Sequence, residues 1–234
     1  MSKLRITRLG HGGILYRSPG DKWIWVDRWS GAPTYAAPPQ PWQVDVIAPT
    51  HGHFDHVGND AVDVVELAAM GGTVVCSHEM SVYLASRGVD SIGMNKGGRV
   101  EVAGIGLNMV KADHSGGITV TGDAPDATRE VGCWGWILEF EDGTHVYHTG
   151  DTDLFGDMTL IGDRWAPSIA VMPIGGHYTM GPADAARAVA MIGARTIIPV
   201  HYGTYPILNG TPAQLQAATD AMVVELQPGE TWEA

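Results

Sequence analysis

The sequence predicts a layered α/β fold in which β-sheets are covered by helices. Two observations predict it. Short β-rich runs, mostly four to six residues long and bounded by Gly, Pro or Asp, recur from one end of the chain to the other. The later runs alternate with stretches that carry helix start and stop signals. Composition agrees: of 234 residues, 44% are hydrophobic and only 17% charged, against roughly 25% charged in ordinary globular chains, so a packed core is expected and disorder is not. No internal repeat or break in composition divides the chain, and residues 1–234 are expected to form one domain.

The strands are expected at residues 4–9, 13–17, 23–27, 44–48, 72–76, 105–110, 136–140, 144–147, 169–172 and 196–200. The first three follow one another at hairpin-length gaps. A helix over 77–87 is signalled by Ser77, which can cap its start, and Gly88, which can end it. Helices over 182–192 and 212–218 each carry Pro in the first turn, and Thr211 with Gln214 forms a capping box. A looser helix covers 60–70. Two long loops, 28–43 and 114–132, are placed to border a substrate pocket. With 31 glycines the chain should make many tight turns and close backbone approaches.

Charge narrows the partners. Lys plus Arg number 14 and Asp plus Glu 26, a net charge of −12 with no basic cluster, so nucleic acid and anionic membranes are not expected partners. No apolar run approaches a membrane span and the N-terminus reads as strand rather than as a secretory signal, which predicts a cytoplasmic protein. Cys76 and Cys133 lack metal or redox spacing and are expected to be buried and free. Trp134 and Trp136 should share one strand face and pack into the core.

The chemistry is concentrated in HGHFDH, which places His51, His53, Asp55 and His56 within six residues directly after a strand-like run. Imidazole nitrogen and carboxylate oxygen together suit Zn²⁺, Mn²⁺ or Fe²⁺, and only coordination explains three histidines in one Gly-bearing turn. His114, Asp151 and His201 each end an apolar run, the position where α/β sheets collect their sites.

Through HGHFDH, His114 in KADHSGG, Asp151 in HTGDT and His201 in IPVHYGT, the chain resembles the metallo-β-lactamase superfamily. The phrases ITRLGHGG, HTGDTDLF, PIGGHYTMGPADA and IPVHYGTYP are similar to poorly characterised metal-dependent hydrolases related to L-ascorbate 6-phosphate lactonase. The resemblance implies a four-layer αββα sandwich with a centre for two divalent ions, Zn or Mn, at one edge. It implies His51, His53 and His114 on the first metal, Asp55, His56 and His201 on the second, and Asp151 bridging them. Two ions so held leave open positions and can ionise a bridging water near neutrality, which predicts hydrolysis of a small ester, lactone or phosphoester. Changing Asp55 to Asn should abolish that hydrolysis without unfolding the chain.

Further residues are candidates for support. The superfamily pattern implies that Asp27, closing WIWVD, accepts hydrogen bonds from the HGHFDH loop. His177 in PIGGHYTMGP is a candidate proton donor to a leaving group or an anion-binding residue. His148 and His11 are expected to back the metal ligands, and His78 and His145 to occupy surface or capping positions. The competing functions are a nuclease or phosphodiesterase, disfavoured by the acidic charge, and a di-iron redox protein, disfavoured by histidine at position 53 and by the lack of room for a flavin domain. The expected partner is a small-molecule substrate.

Overall fold

The computed structural model describes residues 2–121 and 128–234. Sixteen strands are formed among them. In chain order they are β1 (Arg5–Gly10), β2 (Gly13–Arg17), β3 (Trp23–Val26), β4 (Val46–Ile47), β5 (Thr73–Ser77), β6 (Ser91–Met94), β7 (Arg99–Val102), β8 (Ile105–Lys111), β9 (Gly117–Thr119), β10 (Thr128–Glu130), β11 (Trp134–Glu139), β12 (His145–His148), β13 (Ile169–Pro173), β14 (Thr196–Val200), β15 (Met222–Val223) and β16 (Thr231–Glu233). The helices are α1 (Phe54–Val57), α2 (Val62–Ala69), α3 (His78–Ser86), α4 (Met158–Trp165), α5 (Pro182–Ile192) and α6 (Pro212–Gln216).

One seven-stranded sheet has the order β16-β1-β2-β3-β4-β5-β6, and the other the order β15-β14-β13-β12-β11-β8-β7. The pattern of apolar residues explains why both sheets are covered twice. Along β11, Trp136 and Leu138 join the core shared by the two sheets, while Ile137 between them joins the cluster under α4 and α5. Val146 and Tyr147, Val171 and Ala170, and Ile198 and Ile197 divide in the same way. Strand side chains alternate between faces, so a continuous apolar run buries both. On the far side, Val64 and Leu67 of α2 and Met80 and Leu84 of α3 close the first sheet. The result is the expected αββα order of layers.

All ten expected strands form, those at 13–17 and 196–200 with the expected ends and the others with shifted ends. Residues 44–48 yield only Val46–Ile47, and the strand expected at 136–140 begins at Trp134. There Gly135 lies so close to the next strand that a Cβ would stand 2.8 Å from the Thr149 carbonyl oxygen. The capping residues act as expected: Ser77 accepts from the Met80 amide, and Thr211 and Gln214 cap each other reciprocally. The looser helix is split into a 3-10 turn at Asn59–Ala61 and α2, because Asp60 and Ala61 sit at positive φ, 57° and 55°. The sequence reading missed α4. Gly162 in its middle reads as a breaker, yet a Cβ there would stand 2.4 Å from the Ile192 carbonyl, so the glycine is what lets α4 approach α5. Also missed were β6, β7, β9, β10, β15 and β16, which are short and, in β7, β10 and β16, expose much of their length. Cys76 and Cys133 are buried and free, and Trp134 and Trp136 meet edge to face in the inter-sheet core with ring centroids 6.3 Å apart. Residues 28–43 form no regular element, and residues 122–127 of the second long loop lie outside the described residues. Among the described residues, no helix is long and apolar enough to cross a membrane.

Candidate metal centre

Strand direction delivers the chemical residues to one edge. Strands β3, β4, β5 and β6 are mutually parallel. In the other sheet β8 and β12 are both antiparallel to β11, and β12, β13 and β14 are parallel, so β8, β12, β13 and β14 run the same way. Their carboxyl ends carry His114, Asp151, the turn after Pro173 and His201. Those of β3 and β4 carry Asp27 and the HGHFDH loop. Short backbone bonds tie the two sheets at this edge: the Trp134 amide donates to the Thr50 carbonyl at 3.0 Å, and the His201 amide to the His11 carbonyl at 2.9 Å. Gly12 lets the turn that carries His11 lie against the His56 ring, since a Cβ on it would lie 2.8 Å from that ring.

The seven candidate ligands converge. His51, His53 and His114 form one group of donor atoms, all within 4.8 Å of one another, and Asp55, His56 and His201 belong to a second. Asp151 lies between them. Its Oδ2 is 3.0 Å from His201 Nε2, 3.3 Å from His56 Nε2, 3.8 Å from His114 Nε2 and 4.0 Å from His51 Nε2. His51, His56, Asp151 and His201 are buried, whereas His53, Asp55 and His114 are partly exposed; these three, with Asp151 and His201, line a cavity of about 750 Å³.

Hydrogen bonds beneath the cluster fix which imidazole nitrogens face it. Asp27, buried and at φ 49°, accepts from the Thr50 amide (2.8 Å), the Thr50 hydroxyl (2.6 Å) and His56 Nδ1 (2.9 Å). The Thr50 hydroxyl, having given its proton to Asp27, accepts from His51 Nδ1 at 3.0 Å. Both rings therefore present Nε2 to the cluster, the arrangement by which a supporting carboxylate orients a ligand imidazole. Asp27 thus has the role that the superfamily pattern implied, and Thr50, which the sequence reading passed over, shares it. The only sequence signal for Thr50 was its place directly before His51.

His11 stands nearer the cluster than a backing residue need be. Its Nδ1 is 2.9 Å from the Thr204 hydroxyl, its Nε2 donates to Asp55 Oδ2 at 3.1 Å, and it belongs to the second donor group. His148 is buried, and its Nδ1 shares a 2.8 Å hydrogen bond with the Tyr16 hydroxyl. His78 is exposed, and His145 is bonded to the Trp165 carbonyl. His177 is exposed, at φ 59°, with its ring 4.4 Å from that of Tyr178; no hydrogen bond or ion pair among the described residues joins it to the cluster.

Burial, and then neighbouring imidazoles, hold His51 and His53 below the usual histidine range, and burial does the same for His114, so these rings are neutral donors near neutrality. His56 and His201 go the other way. Burial opposes their charge, but Asp151, with Asp27 for His56, outweighs it and raises His201 to about 9. Asp151 is correspondingly held well below the carboxylate range despite its burial. Nε2 of His56 and Nδ1 of His201 are buried without a hydrogen-bond partner. The neutral rings of His51, His53 and His114, the ionised carboxylate of Asp151, and the Nε2 atoms of His56 and His201 turned to that carboxylate form a donor set that suits divalent cations once those two rings give up their protons, so the residues present fit the metals that the sequence implied.

One consequence is a pH-dependent stability. Burial depresses His148 to about 4, below its unfolded value of 6.5, so the folded state binds fewer protons between those limits. Its contribution is complete above pH 6.5 and is lost as pH falls toward 4, a destabilisation of about 3 kcal/mol. Thermal melts of metal-free protein at pH 7.5 and 4.5 should show a smaller acid loss for His148→Gln than for wild type; equal losses would refute the assignment.

Comparison with known proteins agrees with this geometry. The beta-lactamase superfamily domain matches residues 22–202. A UPF0173 metal-dependent hydrolase of Koribacter versatilis is 42% identical over 236 residues, covering 98% of this chain and 97% of that one. The chain belongs to this hydrolase family. Another UPF0173 member, from Methanosarcina mazei, is 40% identical over 237 residues and covers 99% of both chains. The solved structure of Igni18, a metallo hydrolase from Ignicoccus hospitalis, superposes with a TM-score of 0.79 at 30% identity and covers 99% of each chain. The UPF0173 chain is therefore a metal-dependent hydrolase of metallo-β-lactamase fold.

Proposed function

We propose that this UPF0173 hydrolase holds two divalent cations, Zn or Mn, and hydrolyses a small ester, lactone or phosphoester. The observation that carries the reading is the position of Asp151, one of whose oxygens stands within 4.0 Å of Nε2 atoms from both donor groups. In this reading His51, His53 and His114 would hold one cation and Asp55, His56 and His201 the other, with Asp151 available to both. When bound, the cations would supply Lewis acidity and a water acidified toward neutral pKa.

The chain's own groups then orient and enclose. Asp27 and Thr50 fix the rings of His56 and His51, and the His11 N–H fixes the carboxylate of Asp55. Water adds to the acyl or phosphoryl centre, the bond to the leaving oxygen breaks, and that oxygen takes up a proton. The exposed His177 is given no step, because among the described residues no hydrogen bond or ion pair joins it to the cluster.

Metal analysis of the purified protein should find up to two divalent ions per chain. Lactones, phosphodiesters and thioesters screened with each metal restored should include a substrate whose turnover is lost on chelation. Asp55→Asn should lose that turnover while keeping the wild-type circular dichroism. Turnover that survives both chelation and this substitution would overturn the proposal.

A further inference from the structure

The cavity over the centre differs in character from its floor. Beyond the ligands it is walled by Phe54, Tyr178, Tyr205, Ile207 and Leu208, with Ser115 beside His114. Phe54, Tyr178 and Ile207 are 43%, 59% and 44% exposed, and all three border this one concavity. Two of the aromatic rings are braced from behind. Trp29 meets Phe54 edge to face at 5.5 Å and lies 6.5 Å from Tyr205, so this part of the wall is preformed.

No Lys or Arg is among the described residues lining the cavity, and the undescribed residues 122–127 contain none in sequence. Several cations elsewhere are paired: Arg28 with Asp63 and Glu66, Arg99 with Glu139, Lys22 with Asp45 and Lys111 with Asp157. Sites that grip a phosphate or carboxylate away from metal do so with guanidinium forks, ammonium groups or helix N-termini. α1, which opens into the cavity, is four residues long and carries Asp55 in its first turn. Among the described residues lining the cavity, an anionic group distant from the metals would find no Lys or Arg partner, in a chain of net charge −12.

Resting on the hydrolase reading above, we infer that the substrate's group distal to the scissile bond is uncharged and apolar, an alkyl or aryl chain lying along Phe54, Tyr178 and Ile207. This favours lipophilic esters or lactones over the phosphorylated sugar lactones that the sequence resemblance admitted.

The test reads binding without turnover. Straight-chain alkanoates from butyrate to octanoate are titrated into the metal-loaded protein by calorimetry, with suberate as the octanoate analogue that ends in a second carboxylate. Affinity should rise about three- to fourfold per methylene, the hydrophobic increment, and suberate should bind at least tenfold more weakly than octanoate. Ile207→Lys, a change at an exposed wall position, should weaken octanoate and strengthen suberate. A flat series, or suberate binding as tightly as octanoate, overturns the inference even if esters are hydrolysed. The expected order without hydrolysis of any ester or lactone would uphold an apolar binding wall and fail the ester-or-lactone reading on which the substrate assignment rests.

Discussion

Replacing Asp151 with Ala is expected to strip metal from both halves of the centre at once. Losing an outer partner of a metal ligand costs 10–100-fold in metal affinity, and Asp151 faces four imidazoles directly, so its loss should exceed about 100-fold. In the metal-free protein His56 and His201 also lose their shared carboxylate partner, His56 keeping Asp27 and His201 keeping Asp55. Metal analysis after dialysis against dilute Zn²⁺ should find only traces in Asp151→Ala where the wild type retains its ions, and the metal-dependent rise in melting temperature should vanish. A variant that keeps one full equivalent would show that Asp151 serves one site alone.

The second large effect is expected at Asp27, which does not line the cavity over the centre. Asp27→Ala removes the acceptor of the Thr50 amide, the Thr50 hydroxyl and His56 Nδ1, all buried. Bonds to a charged group contribute about 1.5–3 kcal/mol each, so a loss of at least about 3 kcal/mol is expected. For a chain of this size that is a fall of roughly 6–12 °C in melting temperature. Freed of Asp27, the His56 and His51 rings can turn, and metal affinity should drop about 10–100-fold. Asp27→Asn should fall between, because its amide nitrogen cannot accept. Wild-type melting and wild-type metal affinity in Asp27→Ala would remove the supporting role assigned to it.

The parts of this molecule legible in the sequence are those in which one residue type has one physical reason to be there. HGHFDH was legible because nothing but coordination gathers three histidines in a turn, and each of His114, Asp151 and His201 followed an apolar run that forms a parallel-running strand. Ser77, Thr211 and Gln214 were legible because capping is local. What depends on contact between distant segments was not. The role of His11 rests on Asp55 and Thr204, and the bracing of Phe54 by Trp29 joins residues 25 positions apart in the chain. Gly162 reads as a helix breaker until Ile192 is seen packed against it. The cavity's lack of cations likewise follows from where strand ends bring Tyr178, Tyr205 and Ile207 together, which no periodicity encodes.

The most direct test of the account is anomalous diffraction from crystals grown with Zn²⁺ or Mn²⁺. Two peaks are expected at the carboxyl edge of the sheets, one bounded by His51, His53 and His114 and one by Asp55, His56 and His201, with Asp151 contacting both. No peak at that edge in fully metal-loaded crystals, or peaks held by other side chains, would contradict it.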